Sequence, residues 1–149
     1  MDTIQEIETK LFSHSLDDVV ANLKNDQRLR RAWHLIERDY ADPDLNLQQA
    51  ARESGASKNH LNLLLRKTTG FTFHQLLTRY RLLQAVHRLT EENNTVLEVS
   101  LSSGFGSLSA FERNLRVIAG PTPTHLKQML FLLKKNRDFC RDLNSPPVL

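Results

Sequence analysis

Apolar positions recur every three to four residues along almost the whole chain, and no stretch alternates as a strand would, so the pattern predicts an all-α protein. Ile4, Ile7, Leu11 and Phe12 share one face of a first helix. Ser15 stands as the N-cap of a second, with Asp17 and Asp18 in its positive first turn and Leu16, Val19, Val20 and Leu23 as its apolar stripe. Leu29, Ala32, Trp33, Ile36 and Tyr40 mark a longer helix that ends before Asp42-Pro43-Asp44. Two short helices are predicted at about 47–54 and 57–68, separated by Gly55 and closed by Gly70. A long helix follows at about 73–90 and is stopped by Glu91-Glu92-Asn93-Asn94. Short helices recur at about 96–103 and 107–119. Thr122 caps a last helix that starts at Pro123 and buries Leu126, Met129, Leu130 and Leu133, and Asn144-Ser145-Pro146-Pro147 reads as a frayed tail.

The pattern contains one unit twice. Shifted by 50 positions, Ser57, Leu61, Leu65, Arg66, Gly70 and Thr72 fall on Ser107, Phe111, Leu115, Arg116, Gly120 and Thr122. Upstream of each block a small residue, Ala51 or Ser100, is followed four positions later by Gly55 or Gly104. The second turn has one extra residue. Each unit is a short helix, a glycine turn and a second helix that begins with serine and carries polar residues on one face, which is the layout of a helix-turn-helix. The small residue lets the second helix cross closely, and the serine can cap that helix or donate to a phosphate. At 1.5 Å per residue, the 73–90 helix spans roughly 27 Å. Successive major grooves recur about every 34 Å, so one chain can hold two readers in adjacent grooves.

Charge sharpens this reading. The net charge of +3 is unevenly spread: residues 1–26 hold two bases against six acids, a net of −4, and residues 27–149 hold 18 bases against 11 acids, a net of +7. Between Arg52 and Thr90 there are seven bases and one acid, Glu53. A basic body suits a polyanion such as double-stranded DNA, because Lys and Arg neutralise phosphates and release counterions. No apolar run is long enough for a membrane span, residues 1–12 do not form a secretory signal, and the lone Cys140 excludes a disulfide framework and a cysteine-based zinc site. His14, His34, His60, His74, His87 and His125 show no ligand spacing, and no serine sits in a nucleophile-elbow context. The expectation is a cytoplasmic protein at the nucleoid, with no enzyme activity and no cofactor or metal.

On these residues the chain resembles the AraC/XylS-type transcriptional regulators over about 27–132. The resemblance rests on A-R-E-S-G-A-S-K-N-H-L from Ala51 to Leu61 and R-K-T-T-G ending at Gly70. It continues with Arg81 and Ala85, then G-F-G-S at Gly104 to Ser107, F-E-R-N-L-R at Phe111 to Arg116, and G-P-T-P at Gly120 to Pro123. It implies two helix-turn-helix subdomains (about 45–70 and 96–119) joined by a long linker helix. It also implies promoter binding, most often as an activator that touches RNA polymerase. Residues 1–26 then form an acidic helical extension and 133–149 a C-terminal tail. Family members often carry a further ligand-binding or dimerisation domain, so the chain is either a regulator governed by its own abundance or part of a longer one.

Carried over by position, the resemblance assigns base contacts to Lys58, Asn59, Asn62 and Leu63 in the first unit and to Leu108, Ser109, Glu112 and Arg113 in the second. Asn pairs with adenine, Arg with guanine, Glu accepts from cytosine N4, and Leu meets a thymine methyl. Ser57, Arg66, Lys67, Ser107, Arg116 and Thr124 are assigned to phosphates. Arg113 is the best single candidate for specific contact; its competing role is an ion pair with Glu112 or Glu98. Leu63 stands where the family often has a polar reader, and Leu64-Leu65 replaces an apolar-Phe pair. Ser100 and Ser103 replace Ala and an apolar residue, so their hydroxyls either loosen the helix or bond carbonyls one turn back. The acidic lead is either a cap on the first subdomain or a docking helix for a regulatory partner or self-association. A competing class is a helical protein-interaction module that kept the fold and lost specific DNA binding.

Overall fold

The capping chemistry written into the sequence marks out the helices. In a computed structural model, which describes residues 3–91, 93–120, 122 and 125–128, eight helices follow one another: α1 (Thr3–Phe12), α2 (Leu16–Leu23), α3 (Gln27–Asp39), α4 (Leu47–Ser54), α5 (Lys58–Thr69), α6 (Phe73–Leu89), α7 (Val96–Ser102) and α8 (Leu108–Ala119). Ser15, Asp26, Ser57 and Ser107 each accept first-turn amides of the helix they precede. Asn46 with Gln49, Thr72 with Gln75 and Thr95 with Glu98 form reciprocal capping boxes at α4, α6 and α7. Thr122 accepts the His125 amide at 3.2 Å, and residues 125–128 are helical with Leu126 buried. Met129, Leu130, Leu133 and the tail lie outside the described residues.

One apolar cluster joins nearly all of these elements. Leu29, Trp33 and Ile36 of α3, Leu61 and Leu65 of α5, Phe111 and Leu115 of α8, and Leu76, Leu82 and Val86 of α6 are all buried in it. Between Leu76 and Val86 no residue of α6 is fully exposed. The linker helix, whose Leu76, Leu77, Tyr80, Leu83 and Val86 are spaced for burial, is therefore buried or half-buried all round its middle and serves as the central helix as well. Helix α3 packs on α4 and α5, and α7 packs on α8, with α6 contacted by both groups.

The acidic lead belongs to the same core. Ile7, Leu11 and Phe12 of α1 and Val19 and Leu23 of α2 are buried. Helix α2 packs on α3 and α5, but α1 packs on α6 and α8. The extension is therefore seated on both units, where a cap on the first alone was one of the two expectations.

Polar ties hold the two units in register. The buried Arg81 donates from Nε to the Tyr40 carbonyl at 2.7 Å and from Nη2 to the Asp42 carbonyl at 2.6 Å. Burial draws its proton affinity below the usual arginine value, while nearby Asp42 pushes it back up. Arg88 donates from Nη1 to Ser102 Oγ (2.6 Å) and the Ser102 carbonyl (2.9 Å), and from Nη2 to the Tyr40 hydroxyl (2.8 Å). Tyr80 sits edge-on between Trp33 and Tyr40, with centroids 5.2 and 5.3 Å away. Thus α6 reaches the end of α3 on one side and the end of α7 on the other through two arginines.

Candidate nucleic-acid interface

Each unit turns its second helix outward by the same local devices. In the first, Gly55 closes α4 in the left-handed region (φ +73°), and Ser57 Oγ takes the His60 amide at 3.2 Å. In the second, Gly104 (φ +91°) and Gly106 (φ +74°) lie in the turn, and Ser107 Oγ takes the Ala110 amide at 3.1 Å. The turn 55–57 becomes 103–107 in the second unit, because that turn has one extra residue and α7 ends one position earlier in its unit than α4 does. Gly104 is buried where Gly55 is exposed, because the second turn folds under Tyr40 and Arg81. Both serine caps satisfy helix amides here, and each hydroxyl keeps its proton to donate outward.

Leu61 and Leu65 pin α5 to the core, and Phe111, Leu115 and Ala119 do the same for α8. With 3.6 residues per turn, that leaves Lys58, Asn59, Leu63, Arg66 and Lys67 together on the open side of α5, all exposed. On α8 the open side carries Ser109, Glu112, Arg113 and Arg116, all exposed, with Leu108 half-buried at the first turn. Among the described residues Arg113 forms no ion pair; the ion pairs there are Arg28–Asp26, Arg38–Asp39 and Arg38–Glu53. Thr124 lies outside the described residues.

Asn62 is placed differently from its neighbours. It is half-buried, and its Oδ1 accepts the Phe73 amide at 2.9 Å, a free first-turn donor of α6. That bond uses one of the two lone pairs of Oδ1 inside the protein, leaving the second lone pair and the Nδ2 donors for any outward contact. Glu112, its counterpart in the second unit, is exposed. Ser100 Oγ donates to the Leu97 carbonyl at 2.7 Å, as a hydroxyl turned back along its helix does. Ser103 Oγ is buried without a partner among the described residues, and so is Ser54 Oγ at the equivalent place in the first unit.

Arg88, and Asn62 beside the base contact assigned to it, make structural bonds that sequence reasoning did not identify. Their partners, Tyr40, Ser102 and Phe73, stand 11 to 48 positions away, so no local spacing announces the bond. Further groups lie on the exposed helices beyond the assigned set: His60, at the start of α5, accepts from Arg28 Nη1 at 3.1 Å. Val117, the counterpart of Lys67, is 76% exposed on α8, and Leu63 is 49% exposed on α5. Among the described residues there is no group of three His, Cys, Asp or Glu side chains placed for a metal, and no helix long and apolar enough to cross a membrane.

Two outward helices on repeated helix-turn-helix units, fixed by one core, define a tandem helix-turn-helix protein. Residues 50–129, more than half the chain, match the family model described as "Helix-turn-helix domain". The chain belongs to the AraC-type helix-turn-helix family, whose fold is that of DNA-binding regulator domains and not of enzymes. It is 26% identical over 127 residues to an uncharacterized HTH-type transcriptional regulator of Staphylococcus aureus (strain COL), a match covering 81% of this chain and 17% of that protein. It is 29% identical over 84 residues to the probable transcription factor PqrA of Proteus vulgaris, covering 56% of this chain and 69% of PqrA. Among solved structures, the DNA-binding domain of AdpA, a global transcriptional factor crystallised with a target DNA, superposes with a TM-score of 0.62 at 25% identity, covering 70% of this chain and 92% of that one. A DNA-binding transcriptional dual regulator from Escherichia coli K-12 gives 0.61 at 26% identity, with the same coverage.

Proposed function

We propose that the chain reads double-stranded promoter DNA by placing α5 and α8 in adjacent major grooves of one site and that it activates transcription from there. The observation that carries this reading is the repeated exposed face: Arg66 and Arg116 at equivalent positions, flanked by Lys58, Asn59 and Lys67 in one unit and Ser109, Glu112 and Arg113 in the other, on helices anchored to a shared core. The structural likeness to the AdpA domain, whose crystals contain its target DNA, supports DNA binding by this fold. Arg113 is the principal base reader, suited to guanine, with Asn59 suited to adenine and Leu63 to a thymine methyl. Arg66, Lys67, Arg116 and the two serine caps, with Thr124, contact phosphates. Activation then requires a contact with RNA polymerase, for which run-off transcription from a selected site is the assay.

Selection from a random duplex library at roughly physiological salt tests the DNA reading. Two enriched blocks about one helical turn apart are expected, with a preference of about 10³-fold or more over random duplex. Affinity should fall by about 0.9 log units per log unit of salt for each phosphate neutralised. Arg113→Ala should cost about 1–3 kcal/mol on the selected site and relax one position, whereas Lys67→Ala should weaken every sequence alike. Equal loss on all sequences for Arg113→Ala removes it from the readers. No retention of any duplex favours the protein-interaction reading, for which the exposed Leu63 and Val117 would be the contact residues.

A further inference from the structure

We propose that α1 and α2 form a bracket that fixes the separation of the two reading helices and so sets the half-site spacing the protein accepts; the spacing consequence rests on the DNA reading above. The covalent path from α5 to α8 runs through α6 and α7. The bracket closes a second path, since α2 packs on α5 and α1 packs on α8. Asp18, Val19 and Asn22 of α2 share a cleft with Thr68 and Thr69 at the end of α5. Ile7, Leu11 and Phe12 of α1 are buried in the core that also holds Phe111 and Leu115 of α8. A bracket transmits position only if its corner is stiff, and this corner is held by a bond that carries α1 through Ser13 and by one that crosses from α1 to α2. The Ser13 amide donates to the Thr9 carbonyl at 2.8 Å with Ser13 held at φ +63°, and the Leu16 amide donates to the Glu8 carboxylate at 2.6 Å. Glu8 thus joins α1 directly to the first turn of α2. With both paths closed, α5 cannot move relative to α8 without unpacking a buried face.

The distance between the reading helices provides a test without DNA. In the full chain with Cys140→Ser, spin labels at Lys67→Cys and Val117→Cys, equivalent exposed positions on α5 and α8, report that distance by pulsed electron resonance. A single narrow distribution is expected. Leu11→Ala should broaden it, roughly twofold or more, as a packed element becomes locally mobile. Because Leu11→Ala empties a fully buried site, a second variant inserts four glycines after Ser13, which opens the corner and removes no buried side chain. Broadening in the insertion variant, with cooperative unfolding retained, is the expected result; an unchanged width in it overturns the bracket. On DNA, adding one base pair between the half-sites moves the second by about 3.4 Å and turns it by about 35°. The unaltered chain should lose on the order of 10²-fold in affinity, falling towards one-armed binding. The insertion variant should lose far less, with binding to a single half-site unchanged. A spacing profile identical to that of the unaltered chain refutes the spacing claim. An unaltered chain that selects no sequence at all refutes the DNA reading and the spacing claim with it, while the label distances still decide whether the bracket holds.

Discussion

Replacing Gly104 by alanine should destabilise the protein far more than the same change at Gly55, although the two glycines occupy equivalent turns. Both have positive φ, so each alanine pays left-handed strain of about 1–2 kcal/mol. At Gly55 nothing lies within 4 Å of the new methyl, and the strain is the whole effect. At Gly104 the methyl would overlap the Tyr40 carbonyl oxygen and stand 2.7 Å from Arg81 Nε. The carbonyl is backbone and cannot swing aside, so the second turn or the end of α3 must move. That breaks at least one Arg81 bond to a carbonyl, each worth about 1.5–3 kcal/mol for a charged donor. Gly104→Ala should therefore cost about 3–5 kcal/mol. With a urea slope of about 1.5 kcal/mol/M, the unfolding midpoint should fall by about 2–3 M, against about 1 M for Gly55→Ala. Equal midpoint shifts, with unchanged slopes, would show that the Tyr40–Arg81–Gly104 contact carries no stability and would refute the reasoning.

Three further outcomes are expected. Ser54→Ala and Ser103→Ala should leave stability unchanged or raise it by up to about 1 kcal/mol, since each removes a buried hydroxyl that has no partner among the described residues; a loss greater than that in thermal unfolding would mean the hydroxyl is satisfied in solution. Arg88→Ala should cost about 1–3 kcal/mol through the loss of its bonds to Ser102 and Tyr40, and Tyr40→Phe should cost about 1 kcal/mol or less; additive losses in the double variant would show that the two do not interact. The third concerns acid. The hydrogen bond from Arg28 holds the Asp26 carboxyl below its ordinary range, so its contribution is present above about pH 4 and is lost as the pH falls through the lowered value. Asp26→Asn keeps a capping oxygen but cannot titrate, so the gap in urea midpoint between it and the unaltered chain should narrow as the pH drops from 7 towards 3; a constant gap would sink the linkage.

Local chemistry made most of the fold legible. The serine caps at Ser15, Ser57 and Ser107 and the Thr122 cap act as their spacing predicts, and the two short helix pairs fall within a residue of the expected ends. Legibility fails where a residue's partner is remote. Asn62 has the spacing of a reader, and nothing in that spacing announces its bond to a helix terminus eleven positions later. Ser100 and Ser103 looked alike in sequence; one bonds back to Leu97 and the other is buried without a partner among the described residues. Gly104 matches Gly55 in the repeat, and only the arrival of Tyr40 and Arg81 over the second turn separates them.

Helical period, caps and the fifty-residue repeat follow from interactions within a few turns of chain, and these suffice for an all-α tandem helix-turn-helix with two basic outward faces. The relation between those faces does not follow, because it depends on surfaces that meet only after the helices have formed. The apolar positions of the 73–90 linker are legible in the sequence, but which elements cover them is not: α1, α4, α5, α7 and α8 all pack on this helix. The acidic lead reads as an attachment, yet it packs along both units, since burying Ile7, Leu11 and Phe12 requires the groove that α6 and α8 make together.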